Sequence, residues 1–107
     1  MKWFKQTNQQ KALQNRVETW ATQMGVAMPQ LKIRRMRTHW GTMSTQGQLT
    51  LNAELVQMPK KLSEYVIVHE LVHLRVPNHG KLFKCFMSTY LPDWEAREKE
   101  LQAWQKL

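Results

Sequence analysis

The segment from Leu62 to Leu74 constrains this chain more than any other. If it is helical, Leu62, Tyr65, Val66, Ile67, Val68, Leu71, Val72 and Leu74 leave almost no polar side. A helix that is apolar nearly all round belongs in the centre of a fold, covered by other elements. Yet His69, Glu70 and His73 stand inside it. An unpaired buried carboxylate or imidazole is costly, and buried Glu is rare without a partner. A fold built around this helix must give those groups something to bind.

Their spacing says what. In His69-Glu70-Leu71-Val72-His73 the two imidazoles stand at i and i+4, one turn apart on one helix face. Side chains so placed can hold one metal ion together. Glu70 lies about 100° round the helix from His69, within reach of a water on that metal. Zinc lowers the pKa of bound water to about 7. A carboxylate beside it can take the proton, which is the chemistry of peptide hydrolysis. The plainer alternative is two core histidines bonded to backbone, with Glu70 at the surface. A zinc site also needs a third protein ligand and an open fourth position. His79 is the best candidate, because Pro77 ends the helix and lets the chain fold back. His39, Asp93 and Glu95 are the others.

The remaining segments read as flanking elements. Leu13, Val17, Trp20, Ala21 and Met24 recur at helical steps over 8–24, and Gly25 is a suitable stop. Leu31–Arg34 and Gln48–Asn52 alternate like half-buried strands. The Gly-containing stretch between them predicts an antiparallel pair, with Thr42–Gln48 as turn or loop. Residues 53–58 suit a short helical turn. The central helix is expected from Lys60 to about Arg75, followed by helices over Lys81–Tyr90 and beyond Asp93, a suitable N-cap. Trp20, Trp94 and Trp104 sit on helical stripes and read as core.

Composition bounds the rest. The 107 residues suit one domain over 1–107. The single cysteine, Cys85, excludes an internal disulfide and a multi-cysteine zinc finger, and favours a reducing, cytoplasmic setting. On its helix it reads as a small core hydrophobe. No run of about 18 apolar residues is present, so no membrane span is expected. The net charge is +8, from 16 Lys and Arg against 8 Asp and Glu. Such a surface attracts polyanions, so nucleic acid is a candidate partner. Lys32, Arg34, Arg35 and Arg37 could contact phosphates, although a solvated strand face is the commoner use of such a run.

Taken together, Tyr65–Leu74, Pro77-Asn78-His79-Gly80, Phe83 and Leu91-Pro92-Asp93-Trp94 resemble the YgjP-like metallopeptidase family. Arg35–Thr42 followed by Leu49–Asn52 is similar to that family's second signature, a basic-x-Trp-Gly stretch before a short strand. The resemblance covers about residues 31–107. It implies an α+β, zincin-like fold, with a small antiparallel sheet packed on a central active-site helix. It implies one zinc ion held by His69, His73 and His79, with Glu70 as general base. Relatives include the SprT-like and Wss1-like proteases, which cleave proteins crosslinked to DNA. The chain departs from the usual pattern at His39, where Arg is common, and at Thr42-Met43, where Ser-Cys is common.

In zincins substrate extends the sheet along an edge strand. Leu49–Asn52 could serve in that way or be an ordinary inner strand. His39 is a better candidate than Tyr65 for stabilising an oxyanion, since Tyr65 falls on the packed helix. The leading reading is a cytoplasmic zinc metallopeptidase acting on peptide or protein. Its rivals are a basic nucleic-acid-binding module with a structural metal, and an autoinhibited peptidase covered by its N-terminal residues, where Trp3-Phe4 has no assigned place.

Overall fold

The computed structural model describes residues 7–104, so the Trp3-Phe4 pair lies outside the described residues. The order is α1 (Asn8–Met24), β1 (Gln30–Arg34), β2 (Gly41–Met43), β3 (Gln48–Asn52), a 3-10 turn (Ala53–Gln57), α2 (Lys60–Val72), α3 (Lys81–Tyr90) and α4 (Trp94–Trp104). It is an α+β fold. Among the described residues no helix is long and apolar enough to cross a membrane.

Local chemistry sets the boundaries. Thr7 caps α1 through a reciprocal pair: its hydroxyl accepts from the Gln10 N–H, and the Gln10 side chain accepts from the Thr7 N–H. At the other end Gly25 adopts φ 70°, a left-handed conformation that favours glycine, and its N–H closes on the Ala21 and Thr22 carbonyls. Between them Leu13, Val17, Ala21 and Met24 are buried on one stripe.

The sheet is mixed, which corrects the antiparallel expectation. β3 lies in the middle, with β1 parallel to it on one side and β2 antiparallel on the other. The physical reason is the length of the β1–β3 connection. Parallel strands need a crossover of a dozen or more residues, and residues 35–47 supply one. Part of that crossover is itself a strand, β2, in the stretch expected to be loop; the turn is confined to 44–47. Leu49–Asn52 is therefore an inner strand, and the free edges belong to β1 and β2.

α2 is the hub. It packs against α1, α3, α4, β2 and the 3-10 turn. Leu62, Ile67, Val68, Leu71 and Val72 are fully buried, as the all-round apolar pattern requires. Three arginines fasten it to its neighbours. Arg16 of α1 donates to Ser63 and to the Lys60 carbonyl. Arg75 donates to the carbonyls of Met24 and Gly25 at the end of α1. Arg97 of α4 pairs with Glu64 at 2.8 Å. Part of the positive excess thus works inside the fold.

α2 ends at Val72, earlier than the proline suggests. The N–H groups of His73, Leu74 and Arg75 bond three residues back, tightening the last turn. α3 matches its predicted span, but Cys85 is exposed, which corrects its placement in the core. Only Phe83 and Met87 of that helix are buried, and Cys85 falls on the opposite side. Asp93, expected to cap α4, directs its carboxylate to Arg97 Nε at 2.9 Å instead.

Candidate metal centre

The tightened end of α2 places His73 at the helix C-cap, one turn beyond His69 on the same face. Asn78-His79-Gly80 then folds back, with the Asn78 side chain accepting from the Gly80 N–H at 2.9 Å. The turn carries His79 over the end of α2. His69, His73 and His79 each offer a ring nitrogen, and these nitrogens all lie within 4.8 Å of one another. His39, Asp93 and Glu95 are not in the group.

Three features suit a metal. The Nε2 atoms of His73 and His79 are 3.1 Å apart. Two imidazoles on one tetrahedral zinc, at about 2.0–2.1 Å each, stand about 3.3 Å apart. His73 Nδ1 is 3.0 Å from the Val76 carbonyl, so its Nδ1–H donates there and Nε2 is the nitrogen turned toward the cluster. The His79 pKa is held below its ordinary value, by partial burial and then by His69 and His73. A neutral imidazole is the form that binds metal.

Phe83 forms the floor. Its ring stacks on His73 at 5.1 Å between centroids and meets His69 and His79 edge-on at 5.0 and 4.8 Å. Being buried, it fixes the imidazoles from below while the cluster opens to solvent above.

Glu70 is only 8% exposed. Its carboxylate lies 3.3 Å from His69 Nδ1. The sheet also reaches it here. A Cβ on Gly41 would stand 3.0 Å from Val66 Cγ1 and 3.3 Å from Glu70 Cγ. Glycine lets β2 lie this close to α2 without pressing on either side chain. The preceding loop, 36–39, is tied down by Asn52, which is 2% exposed and donates to the Met36 and His39 carbonyls while accepting from the Glu54 N–H. Composition and spacing did not reveal that role. Alternation puts Asn52 on the polar face with Gln48 and Thr50, so nothing in the sequence marked it for burial.

His39 itself is exposed and bonds the Thr38 hydroxyl through Nδ1 at 2.9 Å. Tyr65 is buried, packs against the His69 ring and donates its hydroxyl to Glu98. Burial first, and then Glu98, push its pKa up, so it stays protonated.

Residues 1–103 match the YgjP-like metallopeptidase domain. The chain belongs to that family. No curated protein matches it. Two solved structures share the fold of this YgjP-like chain. One is the metallopeptidase zymogen jannalysin of Methanocaldococcus jannaschii, at 26% identity and TM-score 0.75, covering 88% of this chain and 95% of that one. The other is the metallopeptidase zymogen abylysin of Pyrococcus abyssi, at 23% identity and TM-score 0.74, covering 89% and 94%. Family and fold are those of metal-dependent peptidases.

Proposed function

We propose that this chain is a zinc-dependent peptidase in which His69, His73 and His79 hold one zinc ion and Glu70 is the general base. The observation that carries the reading is the convergence of three imidazole nitrogens beside a buried carboxylate. When bound, zinc supplies Lewis acidity: it polarises the scissile carbonyl and lowers the pKa of water to about 7. The chain's own residues do the rest. Glu70 accepts the proton of the attacking water and delivers it to the leaving amine nitrogen. His69 Nδ1 lies 3.3 Å from that carboxylate, and the backbone of Gly41 passes close to its side-chain stem.

Substrate backbone pairs with the free edge of β2. Trp40 O and Ser44 N bond to β3, so alternation turns the N–H and C=O groups of Gly41 and Met43 outward. Backbone pairing there binds extended peptide with little demand on its sequence. His39 enters the same cavity as His69 and Glu70, and we assign it to the charge developing on the carbonyl oxygen.

Glu70→Gln is expected to keep zinc, read by elemental analysis, and to lose hydrolysis by about 100-fold or more. Hydrolysis at the wild-type rate would remove Glu70 from the mechanism. Jannalysin was solved as a zymogen, which favours a latent form of this chain as a second reading. Specific activity that rises on dilution would support a site covered by self-association; constant activity would oppose it.

A further inference from the structure

A cavity of about 280 Å³ adjoins the histidine cluster. Its walls include Tyr65, His69 and Glu70 of α2, His39 before β2, and Glu98 and Gln102 of α4. It is smaller than the roughly 300–1,000 Å³ of sites that enclose whole small molecules. Its size suits one side chain, beside the bond that Glu70 would serve.

The charge of this cavity is out of keeping with the chain. Basic residues outnumber acidic ones two to one, 16 against 8. Two other half-buried carboxylates have found cationic partners, Glu64 with Arg97 and Glu100 with Lys61. Glu98 is half-buried and has no Lys, Arg or His nitrogen within 4.0 Å among the described residues. The Tyr65 hydroxyl donates to its Oε2 at 3.4 Å, and Oε1 accepts from no described residue. A partly desolvated carboxylate with spare acceptor capacity, a few side chains from a second carboxylate, favours a cation in the space between.

We propose that this cavity is the specificity pocket for a cationic group of the substrate, and that Glu98 recognises it while Tyr65 orients the carboxylate. The inference rests on the peptidase reading above. A Lys or Arg side chain next to the scissile bond has this chemistry, and so does a free α-amine. Glu98 lies outside the three-histidine group, which assigns it to selection in this proposal.

The test uses the zinc-loaded full chain and a synthetic peptide library with Lys, Arg, norleucine, Gln and Glu at each position, each peptide with free and acetylated amino termini. Cleavage is read by mass spectrometry. Lys or Arg is expected at one subsite beside the scissile bond, with kcat/KM about ten- to a hundredfold above norleucine. In Glu98→Gln the Lys-to-norleucine ratio should collapse toward one, and in Glu98→Lys the preference should move to Glu. Preference that survives acetylation assigns the pocket to a side chain; preference confined to free termini assigns it to the α-amine. Wild-type cleavage without cation preference would overturn the proposal. So would an unchanged preference in Glu98→Gln, or loss of zinc from that variant, which would make Glu98 a ligand. Absence of any cleavage that Glu70→Gln abolishes is a different failure, that of the peptidase reading. In that case calorimetry of zinc-loaded Glu70→Gln with Lys and norleucine peptides still decides the pocket: equal affinities refute it.

Discussion

Gly41→Ala probes the contact on which sheet and helix depend. The added methyl would sit 3.0 Å from Val66 Cγ1, 3.3 Å from Leu51 Cδ2 and 3.3 Å from Glu70 Cγ. Each neighbour belongs to a buried side chain, so none can swing away into solvent. Gly41 has no positive φ, so alanine carries no backbone strain there. Overpacking of this kind costs about 1–3 kcal/mol. Restricting the unfolded chain returns about 0.4–1 kcal/mol. The midpoints leave a net loss of about 1.3 kcal/mol, or a fall of about 5–10 °C in Tm for a domain of this size. Urea denaturation and calorimetry measure it. Zinc content should be unchanged, since the three histidines lie away from the added methyl. Hydrolysis should fall by up to about 100-fold, because Glu70 is displaced by a fraction of an ångström. Val66→Ala removes the closest atom. A double-mutant cycle should therefore show favourable coupling of about 0.5 kcal/mol or more. Additive costs, or a variant as stable and active as the parent, would refute the close-approach argument.

Other outcomes follow from the same geometry. Asn52→Ala leaves the Met36 and His39 carbonyls without the buried amide that holds them; a loss of about 1–3 kcal/mol in urea unfolding is expected, and a loss below about 0.5 kcal/mol would show that water replaces the amide. Phe83→Ala empties the floor beneath the imidazoles; it should cost about 3–5 kcal/mol and weaken zinc binding in a chelator competition, and unaltered affinity would mean that the histidines are held otherwise. Acidification should release zinc. His79 has a lowered pKa in the fold, so the fold binds that proton less well than the unfolded chain. Its contribution is full above the unfolded value of about 6.5 and shrinks as pH falls. Proton competition for the ligands has the same sign. Zinc held as tightly at about pH 5 as at about pH 8 would contradict this.

What could be read from the sequence was local. Gly25 marks the end of α1 because capping acts over a few residues, whereas the Thr7 cap at its start went unread. His69, His73 and His79 could be grouped because helix periodicity and one turn bring them together. Pairing between distant segments left no such trace. β1 and β3 each alternate correctly, but nothing in that alternation says that β2 would enter on the far side and make them parallel. Tyr65 and Glu98 lie 33 positions apart, and only the packing of α4 on α2 joins them. Cys85 was misplaced because an amphipathic period shows which residues share a face, not where that face ends.

The histidine cluster closes within a single short stretch, His69 to His79, whereas the free edge of β2 comes from the other half of the chain. Closing so short a loop carries little entropic cost. Zinc should therefore act as a local brace. Amide hydrogen exchange would slow from the last turn of α2 into the first turns of α3, with far smaller changes in β1 and α1. In the proposed enzyme, holding the metal and gripping a peptide would then fall to different parts of the chain.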